Sequence, residues 1–518
     1  VARFSAMSHE TGQLLATGDE QFMNTTRHRW LVLVIVSMAC LLVAIDMTVL
    51  YIALPALTRE LQASSSEKLW IVNMYPLVIA GLLLGAGTLG NRIGHKRLFI
   101  SGLFIFGVAS LLAAFSSSSP MLIFARALLG VGAAAMMPTT LAIISSTFED
   151  HNERSIAVAI WAVVVSGGAA VGPLIGGLLL EYFWWGAMFV INVPIVLIAC
   201  WLSGRLIKNI KNDSAQPWDL IASLQIMVAL ISLVFAINEI ARQVPSYEAV
   251  AVALVICISV ALLFARRQRS ESPLIDRQLF RNPVFCSAFL AGLMGAGCLV
   301  AINLVLSQRL QLVVGLSPLQ AGLYFLPLSL GALVGGPLSG WFLLRFKNEG
   351  LLAFVLTLYA AGIAMFLLSF SYPIFLQMVC LLLLGVCFGA CMTAASHTMM
   401  SAAGPEREGM AASFDDLTVQ LGGALGIAIM GSLMSIVYSR TLSIPEDTLN
   451  AESARDGIDS AILMAEQFPG AVGDSLVMNA HQAFENSVFS VLAAAIIVLL
   501  VIAAWVRFNV SRAIKPAV

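Results

Sequence analysis

A chain of 518 residues that is 59% hydrophobic and 11% charged, with a mean hydropathy of +0.91, carries more apolar surface than one soluble core can bury. Lipid is therefore its expected solvent, and a formal net charge of -1 gives no basis for nucleic-acid binding. The eight cysteines lie in apolar runs with no CxxC or His/Cys ligand spacing, so neither disulfides nor a metal is expected.

The first 29 residues are polar and lack an apolar core followed by a small-residue cleavage site. No removable signal peptide is expected there, and Met7 and Met23 are candidate starts. Apolar runs long enough to span a bilayer, roughly 20 residues each, follow at about Trp30–Leu57, Trp70–Gly90, Leu98–Phe115, Met121–Thr147, Ile156–Leu180 and Trp184–Ser203. A charged linker leads to two more, at about Trp218–Ile240 and Ala249–Ala265, and then to a basic segment from Arg266 to Arg281. The last six lie at about Val284–Gln308, Leu319–Leu344, Leu351–Phe370, Ile374–Met400, Met410–Tyr438 and Phe484–Arg507. The expected fold is an all-α membrane bundle of fourteen helices arranged six plus two plus six. Its parts are a cytoplasmic tail (1–29), a first six-helix bundle (30–203), a linker with two inserted helices (204–283), and a second six-helix bundle (284–508) before a short tail (509–518).

With the amino terminus inside, 21 of the 28 Lys and Arg fall on inside segments and six outside, with Arg126 within a span. One missed span would invert every later loop, so an even count and cytoplasmic termini support each other. Traces of a duplicated six-helix unit remain. Gly87 and Arg92 are echoed by Gly340 and Arg345, and Gly167-Gly168-Ala169 by Gly422-Gly423-Ala424.

The loop after the second span reads Gly87-Thr-Leu-Gly-Asn-Arg-Ile-Gly-His-Lys-Arg97, with glycines for close helix approach beside a cation cluster. It resembles the loop signature of the major facilitator superfamily, which implies a cytoplasmic gate made by Gly87, Gly90, Asn91, Arg92, Gly94, Lys96 and Arg97. Asn91 stands where that family usually carries Asp, which implies a weaker or differently bonded latch. The fifth span holds Gly168, Gly172, Pro173, Gly176 and Gly177, resembling the superfamily's antiporter signature, although such a face also suits plain packing. Ala44-Ile-Asp-Met-Thr-Val-Leu-Tyr-Ile-Ala-Leu-Pro55 and Trp70-Ile-Val-Asn-Met-Tyr-Pro-Leu77 resemble the superfamily's fourteen-span drug:proton antiporters. The likeness extends through Trp184–Pro194, Pro273-Leu-Ile-Asp276 and Leu316–Leu323.

Ionisable residues within spans are costly and usually face a cavity or a partner. Asp46 lies roughly 24 Å from the inner end of its span, and Arg126 roughly 8 Å below the outer end of its own, at 1.5 Å per residue. The two depths agree within a helical turn, as a buried carboxylate tuned by a cation requires; a static ion pair is the alternative. Asp415 and Asp416 open the thirteenth span about 100° apart, so both are not expected to serve one site; Asp415 is favoured, and interfacial solvation is the alternative. The resemblance implies proton coupling at Asp46, Arg126, Asp415 and Asp416. Asn73 and Gln420 stand where those exporters commonly carry acids, and amides do not titrate near neutral pH. Trp70, Tyr75, Trp161, Tyr324 and Phe325 would suit flat lipophilic cations, which completes a candidate substrate set with Asp46, Asn73, Asp415 and Gln420.

The polar stretch from 441 to 482 cannot span and is placed outside, where Glu446, Asp447, Glu452, Asp456, Asp459, Glu466 and Asp474 outnumber Arg455. It either draws cations electrostatically or is a solvated loop, with short helices expected around Asp459–Gln467. No GxxxxGK[ST] run occurs, so no nucleotide or other cofactor is expected and an ion gradient must supply the energy. The leading expectation is a proton-coupled exporter of lipophilic organic cations in a bacterial inner membrane, with small-molecule cations, protons and lipid as partners and a monomer as the default. An exporter of an amino acid or siderophore is the alternative on the same scaffold, and a membrane ligand sensor the alternative of another class. No nucleophile–base pair or metal cluster supports an enzyme.

Overall fold

The computed structural model describes residues 26–209, 218–269, 275–345, 350–404, 407–444, 451–468 and 470–514. Arg3, Lys211, Pro273, Leu274, Lys347, Glu446, Asp447 and Lys515 lie outside them, as does most of the amino-terminal tail. Fourteen described helices are long and apolar enough to cross a membrane, and no strand occurs among the described residues. In order they are α1 (Thr26–Leu61), α2 (Ser65–Ile93), α3 (His95–Ala114), α4 (Ser119–Thr147), α5 (His151–Tyr182) and α6 (Ala187–Leu206). The inserted pair is α7 (Leu220–Ile240) and α8 (Tyr247–Arg267). Then come α9 (Pro283–Gln308), α10 (Pro318–Arg345), α11 (Leu351–Leu368), α12 (Ile374–Ala403) and α13 (Glu408–Thr441), a short α14 (Ile458–Ala465), and α15 (Ala471–Ile514).

Local sequence explains where the helices begin. Ser64 and Glu67 form a reciprocal capping box at α2, and Asp150, Asp219, Ser246 and Asn282 cap α5, α7, α8 and α9 through their side chains. Prolines 55, 76, 138, 173, 327 and 337 lie inside helices. Neighbouring helices in a bundle make such breaks tolerable in lipid.

The glycine stripe of α5 packs on α1: an added Cβ at Gly168, Gly172 or Gly176 would meet Leu41, Thr48 or Val49. In the second bundle α13 packs on α9 in the same way, with Gly422 against Leu293 and Gly426 against Gly297. The first and fifth helices of each bundle thus repeat one contact. The last helix starts thirteen residues earlier than hydropathy suggests, because Leu476, Ala480 and Ala483 bury a face although the stretch is polar overall.

The two bundles meet tightly at the end of the molecule where α14 lies. Ser307 donates to the Tyr51 carbonyl at 2.7 Å, Gln311 to the Ile52 carbonyl at 3.0 Å, and Lys68 to Gln308 at 3.3 Å while pairing with Asp459. There a Cβ on Gly177 would clash with Pro318, and one on Gly322 with Pro173, so α5 and α10 touch backbone to backbone. Toward the other end, where α1 begins and α15 ends, a Cβ on Gly167 or Gly340 would meet nothing within 4 Å. The bundle is closed at the α14 end and opens away from it.

Candidate functional site

Asp46 and Arg126 are both about 1% exposed and form an ion pair between α1 and α4. Arg126 also donates to the Ile71 carbonyl at 3.3 Å, and its guanidinium carbon lies 4.4 Å from the centre of the Tyr75 ring. The cation is thus held on three sides, by a carboxylate, a carbonyl and an aromatic face. Asp46 Oδ1 has no hydrogen-bond partner. A carboxylate with one oxygen bonded and one idle has a ready place for a proton, provided water or a ligand reaches it.

The two acids of α13 diverge. Asp415 accepts from Ser396 of α12 at 2.7 Å and so faces its own bundle. Asp416, the next residue, lies about 100° round the helix from it. One turn further, Gln420 places Nε2 3.7 Å from Met47 Sδ and 3.9 Å from Met137 Sδ, so Asp416 and Gln420 share the face directed at the first bundle. The roughly 100° between the acids is as the sequence requires: the favoured Asp415 is bonded to Ser396 within its bundle, and Asp416 lies on the Gln420 face.

Between the bundles lies a cavity of about 650 Å³ with contributions from α1, α5, α9, α10 and α12. Its wall is largely apolar, including Val163, Phe325, Phe388 and Met392, with Thr48, Ser166, Asn303, Ser329 and Thr393 as polar points. No charged side chain lines it. Thr48 is two residues from Asp46, so the buried ion pair lies just behind this wall.

The structure separates the five aromatic candidates. Phe325 lines the cavity. Tyr324 is buried and donates to Gln377 of α12, Tyr75 stacks on Arg126, and Trp161 donates to Cys40 Sγ at 3.3 Å. Trp70 packs against Phe235 of the inserted helix α7, with ring centres 6.4 Å apart. Asn73 is fully buried, with neither amide atom partnered, and Gln420 leaves Oε1 unpartnered.

Where α2 turns into α3, Asn91 Oδ1 lies 3.1 Å from His95, and Lys96 donates to the Gly204 carbonyl at 2.7 Å. Both bonds stay within the first bundle. Arg92 and Arg97 are exposed at the open end, Gly90 packs on His95, and Gly94 takes φ 98°, a conformation that favours glycine. Cys40, Met47, Met137 and Asn303 were not marked by sequence reasoning. Cysteine and methionine in an apolar run carry no sign of which way they face, although Met47 next to Asp46 was an available hint.

Residues 36–427 match the family model described as Major Facilitator Superfamily. The chain belongs to that superfamily. It is 36% identical over 493 residues, 94% of this chain and 99% of the relative, to the methyl viologen resistance protein SmvA of Salmonella typhimurium. It is 34% identical over 500 residues, 96% of this chain and 99% of the relative, to the multidrug efflux pump LfrA of Mycolicibacterium smegmatis. A solved bacterial homologue of the human lysosomal transporter Spinster, inward-facing and unoccupied, shares the fold with a TM-score of 0.65 at 18% identity, over 94% of this chain and 98% of that one. As a major facilitator the protein is a multi-pass membrane transporter and not an enzyme. In a major facilitator the seam between the bundles is where a substrate is held, and here Asp416, Gln420 and the 650 Å³ cavity all face that seam.

Proposed function

We propose that the protein is a proton-driven exporter of lipophilic organic cations. It works in a bacterial inner membrane with both termini cytoplasmic, so the open end faces the cytoplasm and the α14 end faces out. The observation that carries this reading is an apolar cavity of about 650 Å³ between the bundles, with a membrane-embedded carboxylate, Asp416, on α13 facing the same seam. An apolar wall suits the body of a lipophilic cation, while a carboxylate that is neutral when protonated and anionic when not exchanges a proton for the cation's charge. Asp46, paired to Arg126 behind Thr48, is the second proton site. The relatives named for methyl viologen resistance and multidrug efflux support the substrate class.

The exchange is readable in the purified protein. Ethidium added to weakly buffered, detergent-solubilised protein should release protons, and Asp416→Asn should bind with much less release. Binding without proton release in the unmodified protein would exclude competition at a carboxylate. One observation favours the metabolite-exporter reading: buried Asn73 and Gln420 retain unpartnered amide atoms, which fit a polar, hydrogen-bonding substrate better than a dye.

A further inference from the structure

At the α14 end lies a second cavity of about 330 Å³, between the start of α2, the end of α7, the end of α13 and the 3₁₀ turn Ala451–Asp456. Its wall is more polar than that of the central cavity, although Leu69, Ala241 and Val244 also line it. Ser64, Ser65 and Ser66 come from α2, Ser435 and Ser439 from α13, and Arg242 and Arg455 bring two guanidinium groups.

These groups are only partly used. Arg455 spends one donor on the Ser439 carbonyl at 2.7 Å, and Arg242 spends Nη1 on Glu239 at 3.1 Å, out of five N–H donors each. Asn238, a lining residue only 4% exposed, bonds Ser432 through Oδ1 and leaves Nδ2 without a partner. Asp456 accepts from the Ser65 amide at 3.1 Å through Oδ2, which leaves its other oxygen for a cation. Ser64 donates its hydroxyl to Glu67 and Ser65 its own to the Asp456 carbonyl, which leaves the hydroxyls of Ser66, Ser435 and Ser439 with the two guanidinium groups and the Asp456 carboxylate beside them.

Location narrows the ligand. The cavity sits where α2, α7 and α13 end, and α7 and α8 are the helices with the least buried surface apart from α5, so it borders lipid. Val244 is 85% exposed and Tyr247 74% exposed at the α7–α8 turn, an apolar and aromatic rim of the kind found at headgroup depth. We propose that this pocket binds a phosphate group, that of a phosphoethanolamine lipid headgroup, with Arg242, Arg455, Ser66, Ser435 and Ser439 on the phosphate and Asp456 on the amine. The assignment to the outer leaflet rests on the orientation proposed above, whereas phosphate binding itself does not. Because the walls come from the first bundle, the inserted pair, the second bundle and the 3₁₀ turn, an occupant ties all four together while this end is closed.

The test is thermal unfolding of the purified, delipidated full chain with added short-chain phosphatidylethanolamine, short-chain phosphatidylglycerol or inorganic phosphate. A ligand that binds only the folded form raises the melting temperature with concentration. Phosphatidylethanolamine should give the largest rise, and the rise should vanish in Arg455→Gln and in Ser435→Phe, which fills the cavity while leaving both arginines. Ser435→Phe guards against Arg455→Gln failing to fold. A full rise with inorganic phosphate alone would retain the phosphate site and overturn the lipid source. An equal rise in the unmodified protein and in Ser435→Phe, or no rise with any of the three, would overturn the site. Since none of these readings involves transport, they stand or fall separately from the efflux proposal.

Discussion

Lys68 of α2 and Asp459 of α14 form an ion pair with both side chains less than a tenth exposed, although 391 residues separate them in sequence. The pair joins the first bundle to a segment between the last two spanning helices, and the neighbouring Ser65–Asp456 bonds and the Arg59–Glu466 pair run between the same segments. Removing one member of a buried pair leaves an uncompensated charge and typically costs about 3–5 kcal/mol, whereas replacing both by apolar groups is often neutral. Lys68→Ala should therefore loosen the α14 end. With Ser307→Cys as a reporter on the interface, labelling by a membrane-impermeant maleimide should rise in Lys68→Ala and fall back in Lys68→Met with Asp459→Leu. Unchanged labelling in the single variant would mean that the pair does not hold this end shut.

The glycine stripe makes a sharper claim about stability. A Cβ at Gly172 would fall 1.9 Å from Thr48 Oγ1, while one at Gly167 meets nothing within 4 Å. Overpacking of this kind costs about 1–3 kcal/mol, and alanine in an open helical position gains about 0.5–1 kcal/mol over glycine. Thermal unfolding should show Gly172→Ala melting lower than the unmodified protein and Gly167→Ala melting at the same temperature or higher. The reverse order would mean that α1 and α5 do not pack as described.

Arg126 is held by shape as well as charge. A lysine at that position keeps the charge but loses the planar contact with Tyr75 and the reach to the Ile71 carbonyl. Arg126→Lys should lower gradient-driven efflux by more than roughly tenfold, a change of about 1.4 kcal/mol. Efflux near the unmodified level would show that a point charge suffices.

Much of this arrangement was legible in the sequence. Counting residues along two spans brought Asp46 and Arg126 to one depth, and the structure pairs them, because a regular rise turns sequence position into depth. The fourteen spans were equally readable, since lipid demands long apolar runs. The direction of Asp415 and Asp416 was not, because helical rotation depends on packing partners far away in sequence. Hydropathy also missed the early start of α15, whose first turns are polar overall yet bury Leu476, Ala480 and Ala483. The Lys68–Asp459 pair was beyond reach for a similar reason: nothing local to Lys68 marks a partner in a loop that follows eleven further spans.

Asp416 is the acid proposed to exchange a proton for substrate across the seam, while Asp415 is bonded to Ser396 in its own bundle. The direct measurement is ethidium efflux from proteoliposomes driven by an imposed pH gradient, comparing the unmodified protein with Asp416→Asn and Asp415→Asn. Efflux that responds to the gradient, survives Asp415→Asn and is lost in Asp416→Asn is the predicted result. Efflux that survives Asp416→Asn and is lost in Asp415→Asn would contradict it.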